Sequence, residues 1–206
     1  FGGRALYHCR DNWDVWCRLR GGRLGWQWYI PGLEAKLISE VDVSYAVSPA
    51  LQAYVGTDYV LSNAYDPTIF SWQDHKPPVR QAVMWGFSGG FADIVLINQV
   101  AQLTPTVDYI LVGQASRTQH VVRAANNVTF LGPRLIHQLP PIAAKSDVGL
   151  VLRHGAVAEY MCPIKQWEYL GSGLRFVSAG YDYPNSEYNP ACAISPSTTA
   201  QDIADT

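Results

Sequence analysis

Apolar positions along this chain follow two rhythms. In the second half, short runs with no polar face alternate with segments whose apolar residues recur at helical spacing. Ala82-Val83-Met84-Trp85 is one such run, and it stops at Gly86-Phe87-Ser88-Gly89-Gly90. Residues 91–103 then place Ile94, Ile97, Val100 and Ala101 on one face, and Pro105 closes that helix. Tyr109-Ile110-Leu111-Val112-Gly113 and Val128-Thr129-Phe130-Leu131-Gly132 are two further runs. Strands of this kind belong to parallel sheets covered on both faces. The pattern goes on to predict a helix over 136–145, a strand over 147–152, a helix over 163–171 and a strand over 175–178. Such alternation predicts an α/β domain with a doubly wound, Rossmann-like parallel sheet. Right-handed crossovers bring its strand-to-helix loops (86–90, 113–117, 132–135, 152–163 and 179–187) to one sheet edge, where such folds bind ligands.

The first part is less regular. It reads as a strand over 5–9, a helix over 30–41 with Leu33, Leu37 and Ile38 on one face, and a strand over 43–47. A helix over 49–55 with Pro49 in its first turn and a strand over 59–61 follow. The rhythm lapses over 63–78, where Pro67, Pro77 and Pro78 occur. The expected division is therefore 1–62 as the end of one α/β domain, 63–78 as a linker and 79–206 as a second α/β domain. A helix pattern starts at Thr198 and soon stops.

Composition narrows this picture without redirecting it. The 206 residues suffice for one large domain or two small ones, and 48% of them are apolar. The formal charge of −2 gives no reason to expect a nucleic-acid partner. Arg4, Arg10, Arg18, Arg20 and Arg23 lie among Trp13, Trp16, Trp26 and Trp28. They form either a solvated face over ordinary core aromatics or a basic-aromatic face for an anionic acceptor or a membrane surface. Cys9, Cys17, Cys162 and Cys192 match no zinc spacing and read as reduced thiols of a cytoplasmic protein. Asn127-Val128-Thr129 is a glycosylation sequon inside an expected strand, and reads as chance. No stretch approaches a membrane span. The five histidines are scattered, and only His154 lies in a ligand-edge loop.

Two segments carry candidate chemistry. Gly86-Phe87-Ser88-Gly89-Gly90 joins a strand to a helix, where glycines let backbone N–H groups approach an anion closely. The same residues also suit a plain tight turn. They are not a P-loop, lacking Gly-Lys-Ser/Thr, and not a dinucleotide fingerprint, lacking the third glycine. The second segment is Pro163-Ile164-Lys165-Gln166-Trp167-Glu168. Pro163 fits the first helical position, and the first-turn N–H groups suit a phosphate. Lys165 adds a cation there, and Glu168 follows three residues on, on the same face, able to accept both hydroxyls of a ribose. Spacing alone equally describes a surface ion pair.

Several segments, taken in order, resemble the group 1 (GT4-like) glycosyltransferases of the GT-B fold. Val128-Thr129-Phe130-Leu131-Gly132-Pro133 is similar to their V-x-F-x-G-x strand and loop. Leu139-Pro140 through Ala143, with Ser146-Asp147-Val148-Gly149-Leu150, resembles L-P-x-x-x-A-x-A-D-V. The run from Pro163 to Glu168, continued by Tyr169-Leu170-Gly171-Ser172-Gly173, resembles P-x-K-x-x-E-Y-L-A-A-G. Asp42-Val43, Ala46-Val47-Ser48 and Leu51 resemble A-D-x-V-x-x-V-S-x-x-L, and Asn63-Ala64-Tyr65-Asp66 with Phe70 resembles N-G-V-D-x-x-x-F. Tyr7-His8-Cys9-Arg10-Asp11-Asn12-Trp13 looks like the Y-D-x-x-D-x-W of bacterial polysaccharide-type members.

The resemblance implies transfer of a sugar from a UDP- or GDP-linked donor, bound by the second domain, to a glycan or lipid-linked acceptor bound by the first. The chain opens on Phe1 and holds only the last units of a first domain, so a piece of a longer enzyme is expected, with peripheral contact at the inner membrane face. The family uses no catalytic metal and no cofactor, and this sequence has no D-x-D triplet. By similarity Glu168 meets the ribose, while Lys165, Gly89 and Gly90 face the pyrophosphate. Pro133 and Arg134 lie beside the base, Tyr160, Met161 and Cys162 line the donor-sugar pocket, and Pro163 and Ile164 supply the helix start. Lys165 and Glu168 are the expected catalytic pair. The sequence departs from the family at Tyr160, where many members carry a first glutamate, and at Phe91-Ala92-Asp93, where many carry an arginine and a lysine. A nucleotide-sugar epimerase of the same fold and a non-catalytic nucleotide-sugar-binding protein are the alternatives.

Overall fold

The computed structural model describes residues 3–15, 26–74, 78–88, 94–114, 125–152, 158–179, 192–194 and 199–205. The chain forms two compact units, one of residues 1–63 with 155–162 and one of residues 64–154 with 163–206.

In the first unit, β1 (Leu6–Cys9), α1 (Trp26–Glu40), β2 (Val43–Ala46), α2 (Pro49–Val55) and β3 (Tyr59–Val60) build a parallel sheet of order β1-β2-β3. The turn into α2 is written locally. Ser48 is extended, and its Oγ accepts the Leu51 N–H at 3.2 Å, while Pro49 follows where a missing N–H costs nothing. Gly56, at φ 79°, ends the helix in the left-handed region. Helix α1 starts at Trp26, a turn before the expected 30, and runs through Pro31.

The second unit holds β4 (Gln81–Ser88), α3 (Ile94–Leu103), β5 (Asp108–Gln114), β6 (Val128–Gly132), α4 (Pro140–Ala143), β7 (Val148–Leu152), α5 (Ile164–Gly171), β8 (Arg175–Ala179), β9 (Cys192–Ile194) and α6 (Ala200–Asp205). Its sheet is parallel, in the order β6-β5-β4-β7-β8-β9. The chain thus winds outward from β4 in one direction, then returns and winds outward from β7 in the other. The α/β, Rossmann-like expectation holds. The apolar face of α3, including Ile97, Val100 and Ala101, packs with Met84, Leu111, Leu150 and Ile203 into a continuous core.

Two expectations change, and one strand is new. The helix over 136–145 is instead a 3-10 turn, Ile136–Gln138, and the one-turn α4. Pro140 and Pro141 are the cause, since two missing N–H groups forbid a helix through them. Strand β6 lies at the sheet edge with Phe130 exposed, rather than covered on both sides. Strand β9 carries too short a run for periodicity to reveal. The sequon residue Asn127 is structurally occupied: its Nδ2 donates to the carbonyls of Ala101, Thr104 and Val107 at 3.0, 3.2 and 2.8 Å. Among the described residues, no helix is long and apolar enough to cross a membrane.

Candidate functional site

Ligands of doubly wound sheets sit beyond the carboxyl ends of the strands, where the winding reverses. Here that point lies between β4 and β7. The amino ends of the two strands are clamped: Asp147 Oδ2 accepts the N–H groups of Arg80 and Gln81, both at 2.9 Å. Ladder pairing extends only to Ala82–Val148 and Val83–Gly149. Beyond it, the Tyr169 hydroxyl stands between the strands, accepting from Trp85 N–H at 3.2 Å and donating to Leu150 O at 3.3 Å. It supplies the hydrogen bonds that direct pairing would have made and holds the strands apart. Gly149 makes room for this wedge, because a Cβ there would collide with the Tyr169 ring. Strand β4 also bulges between Trp85 and Phe87, where Gly86 adopts φ 63°, a conformation suited to glycine.

Helix α5 follows β7 and presents its first turn at this point. Pro163 is its extended N-cap, one residue outside the position expected. Lys165 is buried, 6% exposed, and its Nζ donates to the Gly86 carbonyl at 3.4 Å. Glu168, one turn on, is 8% exposed, and its Oε2 accepts from the indole Nε1 of Trp85 at 2.6 Å. Burial raises the Glu168 carboxyl above its ordinary range, while the Trp85 hydrogen bond and the Lys165 charge pull it back down. The surface ion-pair reading fails here, because both side chains are buried. Trp85 is held by Tyr169 (ring centroids 4.2 Å apart) and by Phe70, nearly parallel at 13° and 6.1 Å. The far end of α5 is strapped by the preceding segment: Gln73 N–H donates to Ser172 O at 3.2 Å, and a Cβ on Gly171 would meet Tyr65.

The structure therefore gathers Lys165, Glu168, Pro163 and Ile164 at one place, together with Gly86 of the glycine-rich loop and with Trp85 and Tyr169, which the sequence did not assign to the site. A tryptophan closing an apolar strand just before a glycine loop was the available signal, since a buried indole N–H needs an acceptor. Pro133 and Arg134 lie on the loop after β6, and Arg134 is exposed with its Nη1 on the Pro133 carbonyl at 2.9 Å. Gly89 and Gly90 fall outside the described residues, as do Asp93 and His154. Tyr160, Met161 and Cys162 belong to the first compact unit. There Tyr160 O accepts from Ser48 Oγ at 2.8 Å, its ring meets Tyr54 edge-on at 5.1 Å, and Cys162 O accepts from Asn63 Nδ2 at 2.5 Å. Among the described residues, no group of three histidine, cysteine, aspartate or glutamate side chains could hold a metal ion.

A buried cation and a buried carboxylate one helical turn apart, beside a bulged strand at the reversal point, can meet an anionic group and a hydroxyl of one ligand. No protein-family model matches the chain, and no curated protein matches it in sequence. Solved structures do share its fold. HepE of Anabaena, in complex with UDP and glucose, superimposes with a TM-score of 0.68 at 16% identity, over 97% of this chain and 60% of HepE. The sucrose-phosphate synthase of Thermosynechococcus elongatus gives 0.72 at 14% identity, over 100% and 58%. A TarM variant of S. aureus, in complex with UDP, fondaparinux and α-GlcNAc-glycerol, gives 0.60 at 13% identity, over 87% and 38%. The fold is that of the GT-B glycosyltransferases, and the chain spans about three fifths of the first two structures.

Proposed function

We propose that the chain is the donor-binding portion, with part of the acceptor side, of a glycosyltransferase that moves a sugar from a nucleotide-diphosphate sugar to a glycan or lipid-linked acceptor. The observation that carries this reading is the burial of Lys165 and Glu168 together at the reversal point between β4 and β7. Unless a ligand uses them, two buried ionisable groups at a sheet edge cost stability. A nucleoside diphosphate matches them: its phosphates meet Lys165 and the start of α5, and its ribose hydroxyls meet Glu168. In transfer, negative charge develops on the departing diphosphate as the glycosidic bond breaks. Lys165 and the backbone N–H groups of the α5 start stabilise that charge without a metal. HepE and TarM are both seen with UDP, which makes UDP-linked sugars the donors to try first.

The second part of the reading is that the first unit supplies only a share of the acceptor site. Donor and acceptor must be held together for transfer, and that positioning is a large part of the rate. Incubating the 206-residue chain and a longer polypeptide carrying a full first domain with the same donor, then analysing products, tests both parts. Transfer by the longer polypeptide, with slow donor hydrolysis or none by the short chain, is expected. Equal transfer by both would mean that the first unit is already a complete acceptor site. Interconversion of free nucleotide sugars would point to an epimerase instead.

A further inference from the structure

We propose that Trp85 is a positioning residue for nucleotide binding, holding Glu168 in the one orientation in which its second oxygen is presented to a ribose hydroxyl. The proposal rests on the reading above, that Glu168 meets the ribose.

The geometry is specific. The indole N–H can only donate, and it lies 2.6 Å from Oε2, at the short end for a nitrogen donor. A carboxylate is planar, so fixing one oxygen to a rigid donor fixes the direction of the other. The donor is rigid in turn, because the indole packs against both Phe70 and Tyr169, and the Tyr169 hydroxyl is itself held by the Trp85 backbone N–H and the Leu150 carbonyl. The chain of constraint therefore runs from the Tyr169 wedge between β4 and β7, through the indole, to the carboxylate. Ordering the carboxylate before the ligand arrives removes part of the entropy cost of binding.

The same bond bears on protonation. Burial favours the neutral acid, and two groups oppose it: the indole N–H from β4 and Lys165 from the preceding turn of α5. The neighbouring phenol on α5, Tyr169, points its hydroxyl to the β4 and β7 backbone instead. Taking away the indole N–H leaves Lys165 alone against burial, so the Glu168 carboxyl would protonate at higher pH. A protonated Glu168 is a weaker acceptor for a ribose hydroxyl.

Calorimetric titrations of the wild-type chain, Trp85→Phe and Glu168→Gln with UDP and with 2′,3′-dideoxy-UDP, from about pH 5 to 9, test this. Phenylalanine keeps an aromatic ring against Phe70 and Tyr169 and removes the donor along with the second ring of the indole, a packing loss that bears on both ligands alike. UDP affinity should fall roughly tenfold in Trp85→Phe, the equivalent of one lost charge-assisted hydrogen bond. The dideoxy ligand, which lacks the hydroxyls, should change by less than about twofold. The pH below which UDP binding weakens should move upward in Trp85→Phe and disappear in Glu168→Gln. Equal losses for both ligands, or an unmoved pH profile, would overturn the positioning role. A wild-type chain that binds UDP and its dideoxy analogue equally would overturn the ribose reading of Glu168 first, and this proposal with it. If Trp85→Phe does not fold, the indole N–H resonance of Trp85 in the wild-type chain decides. It should shift with the Glu168 titration and not shift in Glu168→Gln, and a resonance indifferent to pH in both overturns the proposal.

Discussion

Each unit of this molecule buries a glutamate, and the two are used differently. In the first, Glu34 on α1 accepts from two side chains of one strand face: the Tyr7 hydroxyl at 2.8 Å and the Cys9 thiol at 3.0 Å. Burial and Glu34 together push the Cys9 thiol up to about 12, and burial followed by the Glu34 bond pushes the Tyr7 phenol up as well. Both donors therefore keep their protons across the physiological range, and the cluster is a tie between α1 and β1. In the second, Glu168 accepts from one indole N–H and lies a turn from a buried cation, at the carboxyl end of the strands where β4 and β7 have parted. Burial alone does not mark a functional carboxylate. A donor that cannot titrate, a nearby cation and a place at the reversal of winding separate Glu168 from Glu34.

Removing Glu34 should give the larger stability effect. Glu34→Ala removes the shared acceptor of the half-buried Tyr7 hydroxyl and of the buried Cys9 thiol, which keeps only its long bond to the Asp11 carbonyl, and should cost about 1–3 kcal/mol of unfolding free energy. Nucleotide affinity of the folded fraction should be unchanged. Chemical denaturation paired with calorimetry would expose a functional role for Glu34 if affinity fell with stability. Glu168→Ala should do the reverse, weakening UDP or GDP binding by about 1–3 kcal/mol while the apo chain stays folded.

The pH dependence sharpens the contrast. The folded carboxyl of Glu168 lies above its unfolded value, so the ionised form is the less stable one in the fold. Its favourable contribution is full below the unfolded value and is lost as pH rises through the folded one. Glu168→Gln should therefore raise the neutral-pH stability of the apo chain by about 1 kcal/mol or less, with the gain vanishing in acid. Thermal melts across that range would contradict the account if the gain were independent of pH. The smallest expected effect is at Cys9, whose buried and proton-retaining thiol should resist alkylation in the native chain and react only on unfolding. Peptide mapping after brief iodoacetamide treatment reads this directly.

Much of this was legible in the sequence, for local reasons. All strands of the second sheet but β9 announce themselves as apolar runs, and the Ser48-Pro49 and Gly56 signals bracket α2. Lys165 and Glu168 could be singled out because Pro163 fixes a helix start and the pair is spaced i,i+3. The Pro140-Pro141 break was equally local and outweighed an apolar pattern that suggested a longer helix. What sequence could not supply is contact between distant segments. Nothing in the neighbourhood of Gly149 says that its missing side chain seats Tyr169, and nothing near Trp85 says that its indole meets a carboxylate 83 residues later. Phe70, in a stretch that reads as linker, is buried against that same indole. Those contacts turn two spaced residues into a constrained pair.

The central claim is that Lys165 and Glu168 form a nucleoside-diphosphate site that needs no metal. It is tested most directly by calorimetric titration of the chain with UDP and GDP in the presence of a chelator, repeated on Lys165→Met. The account predicts saturable binding of at least one diphosphate by the wild-type chain with the chelator present, and a loss of roughly tenfold or more in the variant, the scale of a charged hydrogen bond to phosphate. Binding that vanishes with the chelator, or that Lys165→Met leaves untouched, would contradict it.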